Sequence, residues 1–95
     1  MKEITFDWDQ WNIQKNETKH GISSLEAESS FYDNNLVIFK DIKHSTNEDR
    51  FIAYGKSAYN NIIMIAFTIR NEKIRIISAR KASRKEKDIY EEKKK

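Results

Sequence analysis

The chain has 95 residues with no cysteine, no proline and two glycines; 38% of it is apolar, 35% is charged, and the net charge is +3. That composition excludes a disulfide scaffold, a thiolate nucleophile and a cysteine-based zinc site. No apolar run is long enough to cross a membrane, and MKEITFDWDQ is no signal peptide, so one soluble, cytoplasmic domain over residues 1–95 is expected.

The modest net charge hides an asymmetry, because residues 1–49 sum to −5 and residues 50–95 to +8. Along the chain, Ile4 to Phe6 reads as a short first strand. Asp9 then reads as a helix N-cap, with Trp8 and Ile13 at the spacing of a hydrophobic staple. This helix runs through Lys19 or His20 and stops at Gly21, the residue that tolerates a left-handed cap. Ser23 and Glu26 have capping-box spacing and start a second helix, with Ala27 and Phe31 on one face and Leu25 and Tyr32 on a neighbouring one.

After the turn cluster Asp33-Asn34-Asn35 the period changes. Leu36 to Asp41 reads as a strand, Ile42 to Asp49 as a polar loop, and Arg50 to Lys56 as a strand followed by a loop at Asn60 and Asn61. Ile62 to Ile69 is apolar almost throughout, as expected of a central strand covered on both faces. Asn71-Glu72 makes a short turn, and Ile74 to Ala79 is the last strand. Ser83 and Glu86 form a second capping box and open a final helix that frays into Glu91–Lys95. The expected fold class is α+β: two N-terminal helices, a four-stranded antiparallel sheet with a possible short N-terminal strand, and a C-terminal helix. The helices are expected on one face of the sheet. The expected core is Phe6, Ile13, Leu25, Phe31, Ile63, Ile65, Phe67 and Ile76. The last helix has only Ile89 and Tyr90 to bury beyond Ala82, so it is held weakly, with its basic first turn near Arg75 and Arg80.

Most standard chemistry is absent from this pattern. There is no glycine-rich phosphate loop, and His20 and His44 lack metal-ligand spacing, so neither metal nor cofactor is expected. What remains is the basic junction of Lys73 to Glu92. Arg75, Arg80, Lys81, Arg84 and Lys85 crowd a strand end and a helix start, which are ordered positions, and RNA phosphate is the anion such a cluster most often faces. RNA cleavage by attack of a 2′-hydroxyl on its own phosphate needs no metal. It needs alignment, stabilisation of the phosphorane charge and a route for protons. Arginine forks suit the second task. Arg75, Arg80 and Arg84 can form such a clamp, joined by Arg70 if the hairpin brings it near.

Each residue also has a structural reading. Arg75 can salt-bridge across the sheet and Arg84 can pair with an acidic helix face. Tyr90, one turn after Glu86, serves as core anchor or proton donor. Trp8 serves as staple or base-stacking platform, and His20 complements the helix dipole at the end of its helix.

The chain resembles the BrnT family, the toxin component of a bacterial type II toxin–antitoxin pair. The resemblance rests on F-x-W-D at Phe6, Trp8 and Asp9, N-x-x-K-H-G from Asn16 to Gly21, and S-L-E-A from Ser24 to Ala27. It continues through Glu48, Arg50, Phe51 and Gly55, then Thr68 and Arg70, and I-R-I-I-S-A-R-x-A from Ile74 to Ala82, followed by Glu86 and Tyr90-Glu91. It implies a RelE-like fold and a metal-independent ribonuclease that blocks translation. It further implies a BrnA-like antitoxin, through which the pair reaches operator DNA. The family's basic positions fall on Arg70, Arg75 and Arg80 as catalytic residues, with Trp8 and His20 as further matches. Lys81, Arg84 and Lys85 are expected RNA contacts, and Tyr90 and Glu86 are candidates for proton transfer. The chain departs from the family in having Asn34-Asn35 where a proline is usual, and in its lysine-rich final helix. Two other readings stay open: a non-catalytic module that binds nucleic acid or an acidic partner, and a degenerate toxin kept for operon regulation.

Overall fold

A computed structural model describes residues 4–94. The ends of the expected domain, residues 1–3 and Lys95 of the frayed tail, lie outside the described residues. The elements in chain order are β1 (Phe6–Asp7), α1 (Gln10–His20), α2 (Ser24–Ser29), β2 (Val37–Lys40), β3 (Arg50–Lys56), β4 (Ile62–Arg70), β5 (Lys73–Lys81) and α3 (Arg84–Lys94). A 3₁₀ turn extends α2 over Ser30–Tyr32, and another occupies Ile42–His44 in the polar loop.

Local chemistry sets the helix ends. Asp9 caps α1 by accepting the Trp11 N–H, and Gly21 closes it at φ 68°, donating its N–H to the Glu17 carbonyl. Ser23 caps α2, accepting the Glu26 N–H at 3.1 Å. The reciprocal half of that box is missing, because Glu26 turns inward and accepts from Ser57 Oγ at 2.7 Å and Asn61 Nδ2 at 2.8 Å. The box on α3 is complete: Ser83 Oγ accepts the Glu86 N–H, and Glu86 Oε1 accepts the Ser83 N–H. Asn71 and Glu72 both have positive φ, 50° and 64°, the geometry that lets a two-residue hairpin follow the right-handed twist of its strands.

The sheet has five strands in the order β1-β5-β4-β3-β2. Four pair antiparallel as a meander, whereas β1 pairs parallel with β5, Phe6 opposite Ile74 and Asp7 opposite Arg75. The possible short N-terminal strand is present, at Phe6–Asp7, and its parallel pairing corrects the wholly antiparallel expectation to a five-stranded, mostly antiparallel sheet. The N-terminal strand joins the outer edge of β5, while β2 remains the other edge of the sheet.

The expectation that all helices cover one face is also corrected. Ala27 and Phe31 pack with Ala53, Ile63, Ile65, Phe67, Ile76 and Ala79 on one face. Tyr90 of α3 packs with Tyr54 and Met64, the alternate positions of β3 and β4, and hence on the other face. The central strand is apolar on both sides because both sides are covered.

Within the core, Phe31 stands edge-on to Phe6 and Phe67, with ring centroids 5.5 and 5.1 Å apart. Leu25 is not part of it and is 75% exposed. Two residues before Ala27, it points some 200° round the helix, away from the sheet. Ile13 and Phe6 are only half-buried. Gly55 fits for lack of a side chain, since a Cβ there would lie 2.6 Å from the Ser30 carbonyl oxygen.

Candidate nucleic-acid interface

Parity governs which basic residues meet. Arg75 and Arg80 are five positions apart, and in a regular strand they would face opposite ways. The register shows why they do not. Ile76 pairs with Phe67 and Ser78 with Ala66, so Ile77 is an extra residue, a β-bulge. The bulge puts Ile76 and Ala79, an odd three apart, into the same core. It likewise puts Arg75, opposite Thr68, and Arg80, opposite Met64, on the far face. Arg70, opposite Lys73, follows the same alternation.

This far face is half covered. Tyr90 and Ile89 of α3 sit over the end that holds Tyr54, Met64 and Ile62. Beyond them a strip crosses the sheet through Phe39, Ile52, Ala66 and Ser78, each opposite the next. Arg80 flanks the strip on one side and Arg75 on the other. Their positions differ by four residues along β4, about 13 Å. Phe39, 39% exposed, is the strip's aromatic side chain.

Each expected catalytic arginine already holds a carboxylate. Arg80 grips Glu86 with both forks, Nη1 to Oε1 at 2.8 Å and Nη2 to Oε2 at 2.9 Å. Arg75 donates to Asp7 at 3.1 Å and Asp9 at 3.4 Å. Arg70 spans Glu48 through Nε at 3.1 Å and Nη2 at 3.0 Å. Burial pushes the Glu86 carboxyl up, but the Arg80 guanidinium and the Ser83 N–H and hydroxyl outweigh it and hold it below the ordinary range. Hydrogen bonding and charge from Arg70 lower Glu48 in the same way. Burial and the nearby Glu86 charge push the Tyr54 hydroxyl up. Glu86 is thus a carboxylate at neutral pH, beside Tyr54 and fixed on the guanidinium of Arg80.

The remaining expected residues scatter. Arg84 and Lys85 are exposed on the first turn of α3, and Lys81, opposite Ile63, has the opposite parity to Arg80. The Tyr90 hydroxyl is engaged, donating to Asp33 Oδ2 at 2.5 Å, and the side chain is 1% exposed. Burial, then the Asp33 carboxylate, push its pKa well up. Trp8 lies on the helical side, its Nε1 donating to Glu28 at 2.7 Å. His20 lines a cleft between α1 and the bulge. The clamp of Arg75, Arg80 and Arg84 is therefore two separate forks with Arg84 on an adjoining helix.

Sequence reasoning passed over the carboxylate partners Asp7 and Glu48, the second role of Asp9, and Tyr54 and Phe39. The bulge itself left a signal, since the apolar positions Ile74, Ile76 and Ala79 break strict alternation at Ile76-Ile77. Among the described residues no three His, Cys, Asp or Glu side chains form a metal-binding group, and no helix is long and apolar enough to cross a membrane.

Comparison with known proteins adds two findings. The family described as "Ribonuclease toxin, BrnT, of type II toxin-antitoxin system" matches residues 8–86. The crystal structure of the Brucella abortus ribonuclease toxin BrnT is similar over 86% of this chain and 100% of that one, at 27% identity and a TM-score of 0.63. No match is found among curated proteins.

Proposed function

The chain belongs to the BrnT family of ribonuclease toxins of type II toxin–antitoxin systems, and from that premise we propose that it cleaves RNA without a metal on the open face that carries Arg75 and Arg80. The observation that carries this reading is the bulge at Ile77, which turns both arginines to the one face opposite the larger core, the face that α3 only half covers. In the proposed step the 2′-oxygen attacks the adjacent phosphorus and loses its proton. The bond from phosphorus to the 5′-oxygen breaks, and that oxygen takes up a proton. The products are a 2′,3′-cyclic phosphate and a 5′-hydroxyl. Arg75 and Arg80 supply positive charge to the phosphorane oxygens from either side, and Arg70, further along β4, adds charge at a neighbouring phosphate, each exchanging its carboxylate for phosphate oxygens that fit the same fork.

Of the two candidates for proton transfer, Glu86 is favoured over Tyr90, since it is ionised and touches Arg80 whereas Tyr90 is buried against Asp33. Arg84 and Lys85 extend the cationic surface along α3. Lys81, Trp8 and His20 serve RNA that leaves the open face round its edge. We further assign the chain as a single RelE-like domain over residues 1–95 that acts in the cytoplasm and blocks translation. A BrnA-like antitoxin neutralises it, and the pair contacts operator DNA through the antitoxin alone.

The test is cleavage of single-stranded RNA in EDTA. Products ending in a 2′,3′-cyclic phosphate are expected, and an RNA with 2′-deoxy sugars at the cut sites should stay intact. Strict dependence on a divalent ion contradicts the mechanism. Salt-dependent binding with no cleavage supports the alternative, a non-catalytic RNA-binding module.

A further inference from the structure

The cleft between α1 and the bulged edge of β5 is lined mostly by polar residues, at a place where a helix packed on a sheet ordinarily presents apolar ones. Asn12, Lys15, Asn16 and Lys19 recur at three- and four-residue spacing and so form one stripe along α1. With His20, Ile77 and Ser78 they line a cavity of about 180 Å³. A helix laid against a sheet ordinarily turns an apolar stripe towards it. Asn16 has a structural reason to be there. It is 5% exposed, its Oδ1 accepts the Ala79 N–H at 2.8 Å, and its Nδ2 donates to the Ile22 carbonyl at 3.2 Å. It thereby closes the stretch of β5 edge that the two-residue β1 leaves unpaired.

Lys15 and Lys19 have no such task. Among the described residues neither forms an ion pair, nor does His20, whereas Arg70, Arg75 and Arg80 are all matched by carboxylates. Two uncompensated ammonium groups therefore stand over a rigid, hydrogen-bonded floor. Ser78 connects this cavity to the open face, since it lies in the row between Arg75 and Arg80 and also lines the cavity.

We propose that this cavity is a phosphate subsite for RNA, holding a phosphate of the strand whose reacting step lies on the arginine face. The proposal rests on the ribonuclease reading above. The strand crosses the edge of β5 at Ser78, and Lys15 and Lys19 meet its phosphate as point charges, with Asn12 and Ser78 as neutral donors. The subsite raises affinity for RNA long enough to reach it and leaves the chemical step unchanged.

The experiment compares wild type with the double variant Lys15→Gln/Lys19→Gln, whose side chains are exposed and leave the core intact. For single-stranded RNA long enough to span both sites, KM should rise about ten-fold at unchanged kcat, and the slope of log affinity against log salt should fall by about 0.7 for the one phosphate lost. For a dinucleotide substrate, kcat/KM should not change. Equal losses on both substrates, or none on either, overturn the subsite. Inorganic phosphate gives a readout independent of cleavage. Amide shifts at Asn12, Lys15 and Ser78 in the wild type, lost in the variant, support the subsite even if no RNA is cut. Shifts confined to Arg75 and Arg80 overturn it.

Discussion

Asp9 does two jobs with one carboxylate. Its Oδ1 accepts the Trp11 N–H at 2.8 Å and caps α1, and its Oδ2 receives Arg75 at 3.4 Å. The cap was legible in the sequence because it spans two residues. The ion pair was not, because it joins positions 66 apart that meet only once β1 pairs with β5. If RNA phosphate displaces the carboxylates of Arg75, weakening one of them should favour RNA. Asp9→Asn keeps a good N-cap and removes one competing charge, a half-exposed pair worth about 0.2–1 kcal/mol. RNA affinity is expected to rise about two- to five-fold with helix content unchanged by circular dichroism. Weaker RNA binding by a folded Asp9→Asn protein would contradict carboxylate exchange at Arg75.

At the scale of elements, local signals placed the caps and long-range ones decided the faces. Gly21, Ser23 and Ser83 act within a turn, so the helix ends followed from sequence. Which face α3 covers depends on where Tyr54 and Met64 leave apolar surface, and that is a property of the assembled sheet. The same holds for Leu25, which looks like core by composition but sits on the wrong side of a six-residue helix.

α3 is fastened at two points, by Arg80–Glu86 at its start and Tyr90–Asp33 near its middle. Asp33 also accepts the Lys56 N–H at 2.7 Å. Burial raises the Asp33 carboxyl, but the Tyr90 hydroxyl and the Lys56 and Asn35 N–H groups outweigh it, and the net shift is downward. The lowered Asp33 and Glu86 contribute stability that is present above the unfolded carboxylate range near pH 4 and is lost as pH falls through their lower folded values. Tyr90 is raised, so its contribution is complete below the unfolded value near 10 and is lost as pH rises through the folded one. Attachment of α3, followed by amide hydrogen exchange at residues 84–94, should be flat between about pH 5 and 9 and weaken on either side. Tyr90→Phe should cost roughly 1.5–3 kcal/mol, the range for a hydrogen bond to a charged acceptor, and should abolish the alkaline limb. An alkaline limb that survives in Tyr90→Phe would place its origin in another group.

For the whole molecule, the charge asymmetry of −5 against +8 takes on a second meaning. The basic half does not simply await an external anion. The acidic half supplies Asp7, Asp9 and Glu48 to Arg75 and Arg70, so part of the difference is neutralised within the fold. The α+β class and the central strand were legible in the sequence from the period change at Leu36 and the apolar run of β4. The placement of Arg75 and Arg80 on one face was marked only by the break in alternation at Ile76-Ile77, because it depends on a single inserted residue in β5. The most direct measurement is RNA cleavage by Arg75→Ala/Arg80→Ala, with folding checked by circular dichroism and thermal melting. With each lost donor expected to reduce the rate by about 100- to 1,000-fold, the folded double variant should leave RNA uncut over times in which wild type consumes it. Cleavage at the wild-type rate by a folded Arg75→Ala/Arg80→Ala protein would show that the open face is not where the reaction occurs.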